Sequence, residues 1–133
     1  MAEAITVVPA STTAPTLRDG VIAHEDLKAE PGGAPGVAAY VYHNGPTGQL
    51  AALCFGMAVL DPGATPHPPH QHPEEETMIV ASGTGVIEVA GKSTQVGPGA
   101  VMYTAANVWH GILNTGDTPL VFYWSKWIAK GFE

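Results

Sequence analysis

Glycine and proline interrupt this chain at short intervals, and this spacing limits its secondary structure more than any other feature. The 16 glycines and 12 prolines separate short apolar runs and leave little room for an uninterrupted helix of three turns. Short apolar runs between turn-forming residues are typical of β-strands. The sequence therefore predicts strands at 4–8, 37–43, 49–60, 76–82, 85–91, 92–96, 100–104, 110–114 and 120–128.

So many short strands in 133 residues favour an all-β fold, either a single barrel or a double-sheet jelly roll. Residues 37–133 carry most of the predicted strands and are expected to form the barrel of a single-domain protein. Residues 1–36 are expected to form an N-terminal arm with one strand and an irregular segment. Within this arm, the stretch "HEDLKAE" (24–30) predicts one helical turn.

The charge balance excludes some partners. Twelve acidic residues against five basic ones give a net charge of −7, which opposes nucleic acid and anionic membrane surfaces. No apolar stretch reaches the ~18 residues of a membrane span, and the start lacks the basic region of a signal peptide. The single cysteine, Cys54, lies in an apolar run and is expected to fill the core. We therefore expect a cytoplasmic protein.

The stretch "HPPHQHPEEE" (67–76) concentrates imidazoles and carboxylates in a chain otherwise poor in charge. Residues two apart in a strand share a face, so His70 and His72 are expected to project together, and Glu76 has the same parity. His110, in "NVWHGILN", offers a fourth donor from a distant strand. Such donors suit one divalent transition metal (Fe, Mn, Ni, Zn or Cu). The alternative is a polar inner face without metal.

These residues resemble the two motifs of the cupin family. The first motif, roughly GxxxxxHxHxxxxExxxxxxG, is matched by Gly63, His70, His72, Glu76 and Gly83, with small differences in spacing. The second, roughly GxxxxxPxGxxHxxxN, is matched by Gly99, His110 and Asn114, while Ala105 and Asn107 replace its usual Pro and Gly. Asn tolerates a positive φ, so the turn before His110 is expected to survive. The segment between the motifs has the short form of small bacterial cupins.

The resemblance implies a cupin jelly roll, or double-stranded β-helix, with His70, His72, Glu76 and His110 as metal ligands. It also implies an enzyme of the dioxygenase, lyase, isomerase or cyclase type, acting on a small organic acid, enol or carbonyl compound. Glu76 is then a candidate catalytic residue as well as a ligand. Related small cupin lyases use a Tyr as base two residues after the ligand Glu, where this chain has Met78. Tyr103 or Tyr123 could act as the base instead.

A second hypothesis is a non-catalytic cupin that binds or senses a small molecule in the same pocket. His67 is expected to be an exposed loop residue, with a pocket-rim acid or base as its alternative. Glu74 and Glu75 are expected to be solvated turn carboxylates, unless one of them orients a ligating histidine. Met78, Val80 and Met102 are expected to form apolar wall near the metal. The exposed sheet edges, the strands before residue 60 and the apolar C-terminal end (120–132) favour a homodimer with two-fold symmetry.

Overall fold

A computed structural model describes residues 16–133 and contains eight strands there. Strands are predicted at 37–43, 49–60, 76–82, 85–91, 92–96, 100–104, 110–114 and 120–128, and all are present with small shifts at their ends. The strand predicted at 4–8 lies outside the described residues. The strands are β1 Val37–Gly45, β2 Leu50–Leu60, β3 Glu75–Ser82, β4 Gly85–Val89, β5 Lys92–Val96, β6 Val101–Thr104, β7 His110–Leu113 and β8 Leu120–Ala129.

The eight strands form two antiparallel sheets, as expected for a jelly roll. The larger sheet has the order β1-β2-β8-β3-β6, and the smaller has the order β5-β4-β7. β3 and β8 lie at the centre of the larger sheet and are far apart in the chain. The jelly roll predicted from the sequence is therefore confirmed.

The core lies between the sheets and is formed by the inward-facing residues of several strands. β8 shows the pattern most clearly, because Leu120, Phe122 and Trp124 are buried while the residues between them are partly exposed. The buried apolar cluster also contains Cys54, as the sequence predicted. A pleated strand turns successive side chains to opposite faces, so one parity of β8 faces the interior.

Two tight turns bring strands of the site into position. Ala90 and Gly91 connect β4 to β5 with φ values of 51° and 81°, which is the conformation of a two-residue hairpin loop. Asn107, in the turn before β7, has a φ of 62°. This turn therefore has the positive φ at Asn107 that the sequence analysis expected Asn to tolerate.

The segment before β1 packs against the larger sheet. The backbone N–H of Glu30 donates to the carbonyl of Ala39 at 2.7 Å, and the ring of His24 lies 4.7 Å from that of Tyr40. The predicted helical turn is present as a single 3-10 turn, His24–Asp26. None of the helices in residues 16–133 is both long enough and apolar enough to cross a membrane.

Candidate metal centre

Four donor side chains meet at one end of the space between the sheets. Ligand atoms of His70, His72, Glu76 and His110 all lie within 4.8 Å of one another. Glu76 is on β3 and His110 begins β7, while both other histidines precede β3. The four residues assigned as ligands from the sequence are thus brought together, as a metal site requires.

His70 and His72 do not lie in a regular strand, which corrects the reason given for their convergence. β3 begins only at Glu75, and His70 forms an isolated antiparallel bridge with His110. In this bridge, the backbone N–H of each residue donates to the carbonyl of the other at 2.9 Å. The bridge holds the two motifs together, because it joins the loop before β3 directly to the start of β7.

Hydrogen bonds on the far side of two imidazoles turn their other nitrogens toward Glu76. His110 Nδ1 donates to the carbonyl of Val108 at 2.8 Å, and His72 Nδ1 donates to Glu74, whose Oε1 lies at 3.2 Å. The Nε2 atoms of His72 and His110 then face Glu76 Oε1 at 2.9 and 3.1 Å. Metal-binding histidines are commonly held in this way through the ring nitrogen that does not bind the metal.

The electrostatics of the cluster suit a cation at its centre. Burial raises the pKa of Glu76, but hydrogen bonds from His110 and His72 outweigh burial and bring it down to about 2. Burial, together with His67 and His110, lowers the pKa of His70 to about 3. At neutral pH the carboxylate is ionised and His70 is neutral, as ligation requires.

His72 must lose a proton before it can bind a metal. Burial lowers its pKa, but hydrogen bonds to Glu74 and Glu76 outweigh burial and raise the pKa to about 9. Without an ion, the proton on His72 therefore supplies the positive charge that balances Glu76. Three imidazoles and one carboxylate, with Nδ1 of two imidazoles held from outside, fit a divalent transition metal.

Glu74 is not a solvated turn carboxylate, so that prediction was wrong. Its side chain is buried and contacts His72 Nδ1, which is the orienting role named as the alternative. Glu75 is half-buried and accepts a hydrogen bond from the Tyr103 hydroxyl at 2.6 Å. The two neighbouring carboxylates thus point to opposite sides of the chain where β3 begins.

His67 also differs from its predicted place in an exposed loop. Its ring stacks on that of His70 with the ring centroids 3.7 Å apart, and it lines the cavity beside the donor cluster. Its Nδ1 donates to the carbonyl of Pro68 at 2.8 Å. The structure therefore agrees with a pocket-rim position.

A small cavity of about 170 Å³ opens beside the donors. His70 and Glu76 contribute to its polar end, and most of its remaining wall is apolar, formed by Val37, Ala39, Ala58, Met78, Phe122 and Trp124. Of the residues expected to form wall, Met78 lines the cavity, while Val80 and Met102 lie in the adjoining core.

Neither tyrosine proposed as a substitute base is among the described residues that line the cavity. Tyr103 is 55% exposed and alternates with the buried Met102 and Thr104 on β6. Tyr123 has the outward parity of β8 and packs near Tyr42 and Phe55. Both hydroxyls therefore belong to the outer face of the larger sheet.

Lys126 is a residue of the site that the sequence analysis did not identify. It is only 4% exposed, lines the cavity and lies opposite Glu76 in the pairing of β8 with β3. Its position was visible in the sequence, since it has the same parity as Leu120, Phe122 and Trp124 in an alternating strand.

Asn114, the last residue of the second motif, has a structural role. Its Nδ2 donates to the carbonyls of Leu60 and Thr118 at 2.9 and 2.8 Å, and its Oδ1 accepts from the Gly116 N–H at 2.9 Å. These bonds connect the loop after β7 to the end of β2. They satisfy the hydrogen-bonding groups of a fully buried amide.

Comparison with known proteins agrees with this geometry. A family model described as "Cupin domain" matches residues 56–126, which contain all four donors and Lys126. No curated protein matches the chain in sequence.

Several solved structures have a similar fold. A predicted oxalate decarboxylase from Thermotoga maritima is 26% identical, with a TM-score of 0.68 over 82% of this chain and 99% of that one. KdgF from a Halomonas species is 19% identical, with a TM-score of 0.67 over 82% and 94%. The polyketide cyclase RemF from Streptomyces resistomycificus is 20% identical, with a TM-score of 0.68 over 83% and 80%.

Proposed function

Since the chain belongs to the cupin family, we propose that it is a metal-dependent enzyme acting on a small organic acid, enol or carbonyl compound. The observation that carries this proposal is the convergence of His70, His72, Glu76 and His110 at the end of an apolar cavity. Apolar clefts with a few converging polar groups are the usual form of small-molecule sites. The four residues would hold the ion.

When bound, a divalent metal would supply a Lewis acid for a substrate oxygen, or a centre for dioxygen chemistry. Glu74 and the carbonyl of Val108 keep the rings of His72 and His110 in the orientation needed for ligation. The apolar wall excludes water from the substrate. These parts of the chain prepare the site before any substrate arrives.

Two groups of the chain are placed to move a proton. Glu76 faces the imidazoles through Oε1, and its second carboxylate oxygen can take up and return a proton. His67 lies at the cavity wall against His70, with its Nδ1 engaged by a carbonyl. Met78 occupies the position of the Tyr base of the related lyases, and this argues against that particular mechanism.

The similar structures include proteins named as a predicted decarboxylase and as a cyclase, so the fold does not select one reaction. Dioxygenase, lyase, isomerase and cyclase types all remain within the proposal. A non-catalytic binding or sensing role is the second candidate. It is favoured by Met78 and by the outward positions of Tyr103 and Tyr123, because these leave few acid–base groups at the cavity.

Elemental analysis of the purified protein, followed by oxygen-consumption and carbonyl-substrate assays, separates the two candidates. Bound metal with turnover that stops on chelation supports the enzyme. Stabilisation by small acids without any turnover supports the binding protein. Protein that neither contains a transition metal nor takes one up would contradict the metal proposal.

We further propose a homodimer formed through the outer face of the larger sheet. Ile79 and Val101 are cross-strand neighbours on this face, and they are 43% and 61% exposed. Tyr103 lies on the same side of β6, and its side chain is 55% exposed. Contiguous exposed apolar side chains of this kind commonly mark a protein interface.

A further inference from the structure

The buried side chain of Lys126 is the feature of the cavity to which metal binding assigns no role. The other inward residues of β8 that are buried, Leu120, Phe122, Trp124 and Ile128, are apolar. A lysine is rarely buried unless charged or polar groups surround it, because removing an ammonium from water is costly. A lysine among these apolar residues indicates that this part of the cavity requires a positive charge.

Strand register places Lys126 next to the donor cluster. Thr104, Glu76, Lys126 and Cys54 are paired in turn across β6, β3, β8 and β2, so they form one row across the sheet. Directly paired residues of adjacent strands have neighbouring side chains on the same face. Lys126 therefore enters the same cavity as Glu76 and His70, and it is the one lysine or arginine among the described residues of the wall.

The charges at this end of the cavity favour an anion. A divalent ion held by three neutral imidazoles and Glu76 would keep one positive charge, to which Lys126 adds a second. The carboxylate of Glu74 cancels one of these two positive charges, so the buried end of the cavity keeps a net positive charge. Glu30, the other carboxylate of the wall, is exposed to solvent that screens its charge. Because the whole chain has a charge of −7, attraction of an anion must arise locally.

The size and lining of the cavity restrict the anion further. Its volume of about 170 Å³ is below the ~300–1,000 Å³ typical of pockets for drug-sized ligands, so the ligand should be small. Most of the wall beyond the donors is apolar, so the remainder of the ligand should be short and largely apolar. We propose that the substrates are small carboxylic acids and that Lys126 binds their carboxylate, which makes it a specificity-determining residue. This inference rests on the proposed function, since it assumes that the cavity receives the substrate.

Matched acid and amide probes test the proposal on the full-length, zinc-loaded protein. Isobutyrate and isobutyramide have the same shape and differ in charge, and their binding is measured by calorimetry. We expect the wild type to prefer isobutyrate, and Lys126→Met to weaken its binding roughly ten- to a hundred-fold with binding of the amide unchanged. Lys126→Arg should restore much of the preference. Lys92→Met, which changes an exposed lysine on the smaller sheet, should behave as the wild type.

Other outcomes overturn the proposal. Unchanged isobutyrate affinity in Lys126→Met would show that the ammonium does not bind the carboxylate. Equal weakening of acid and amide would show a merely structural role. A wild type that does not distinguish the two probes would also contradict it.

A measurement on the wild type avoids any folding defect of the variant. The chain has four lysines, so the Cε resonances of lysine-labelled protein can be followed individually. The Lys126 resonance should shift on addition of isobutyrate and not of isobutyramide; a resonance that responds to neither overturns the proposal. If the protein takes up no zinc, the proposed metal function fails, yet the same titration still decides whether Lys126 binds carboxylates.

Discussion

Removal of metal should give this protein a stability maximum near pH 6.5. In the metal-free protein, the pKa of His72 is raised to about 9 by Glu74 and Glu76 after the opposing effect of burial, whereas an unfolded histidine has its ordinary value near 6.5. The folded state therefore holds a proton that the unfolded state releases above pH 6.5. This contribution to stability is complete below pH 6.5 and is lost as the pH rises toward 9.

The acid side of the maximum has a different origin. Burial, with His67 and His110, lowers the pKa of His70 to about 3. Below pH 6.5 the unfolded state therefore binds a proton at this histidine, while the folded state does not. Stability then falls as the pH decreases from 6.5. Glu76 adds to this loss, because its pKa is lowered from 4.5 to about 2. As the pH falls from 4.5 toward 2, the carboxyl of the unfolded state takes up a proton before that of the folded state does.

The size of the alkaline loss follows from the shift of His72. A rise of its pKa from 6.5 to about 9 corresponds to about 3 kcal/mol of stability. The interaction with Glu76 is counted once because both groups share it. Saturating zinc should abolish this loss, since His72 would then be neutral in the folded state, as it is in the unfolded state above pH 6.5.

Urea unfolding at pH 5 to 9, with a chelator or with zinc, measures both curves. His72→Gln serves as the control, and its metal-free form should lack the decline above pH 6.5. If the chelated wild type keeps constant stability, or gains stability, between pH 6.5 and 9, the argument from the His72–Glu76 pair is refuted.

Three other changes test the site, the core and the assembly. His110→Ala removes the donor from β7 and should sharply reduce metal content by elemental analysis, whereas His67→Ala should retain metal; the reverse result would place His67 among the ligands. Gly56→Ala should destabilise the protein by about 1–3 kcal/mol in urea unfolding, because its Cβ would collide with the indole packed there, and Gly48→Ala should not. Ile79→Glu should convert the dimer to monomer by light scattering, and a wild type that is monomeric at all concentrations would exclude the dimer.

Local signals in the sequence were sufficient to locate the strands of the described region. The apolar runs around Cys54 and Phe122, bounded by turn residues, became β2 and β8 with few changes at their ends. The turn before His110 was equally accessible, since Asn107 can adopt the positive φ that the turn requires. Such signals depend only on neighbouring residues, so they can be recognised in the sequence without knowledge of the fold.

The donor set could also be predicted, although the geometric reason was incomplete. His70 and His72 were expected to share the face of a strand, while the structure holds them in a loop by the bridge to His110. The residue types and their spacing therefore singled out the four side chains that the structure brings together. The backbone that presents them depends on a pairing between segments far apart in the chain, which local periodicity does not report.

Residue type and short-range spacing were enough to predict the β-strands of the described region and to single out His70, His72, Glu76 and His110. They did not show that Glu74 is buried against His72, that His67 stacks on His70 or that Lys126 pairs with Glu76. Burial and charge pairing depend on which strands become neighbours, and this is set by the closure of two sheets over one cavity.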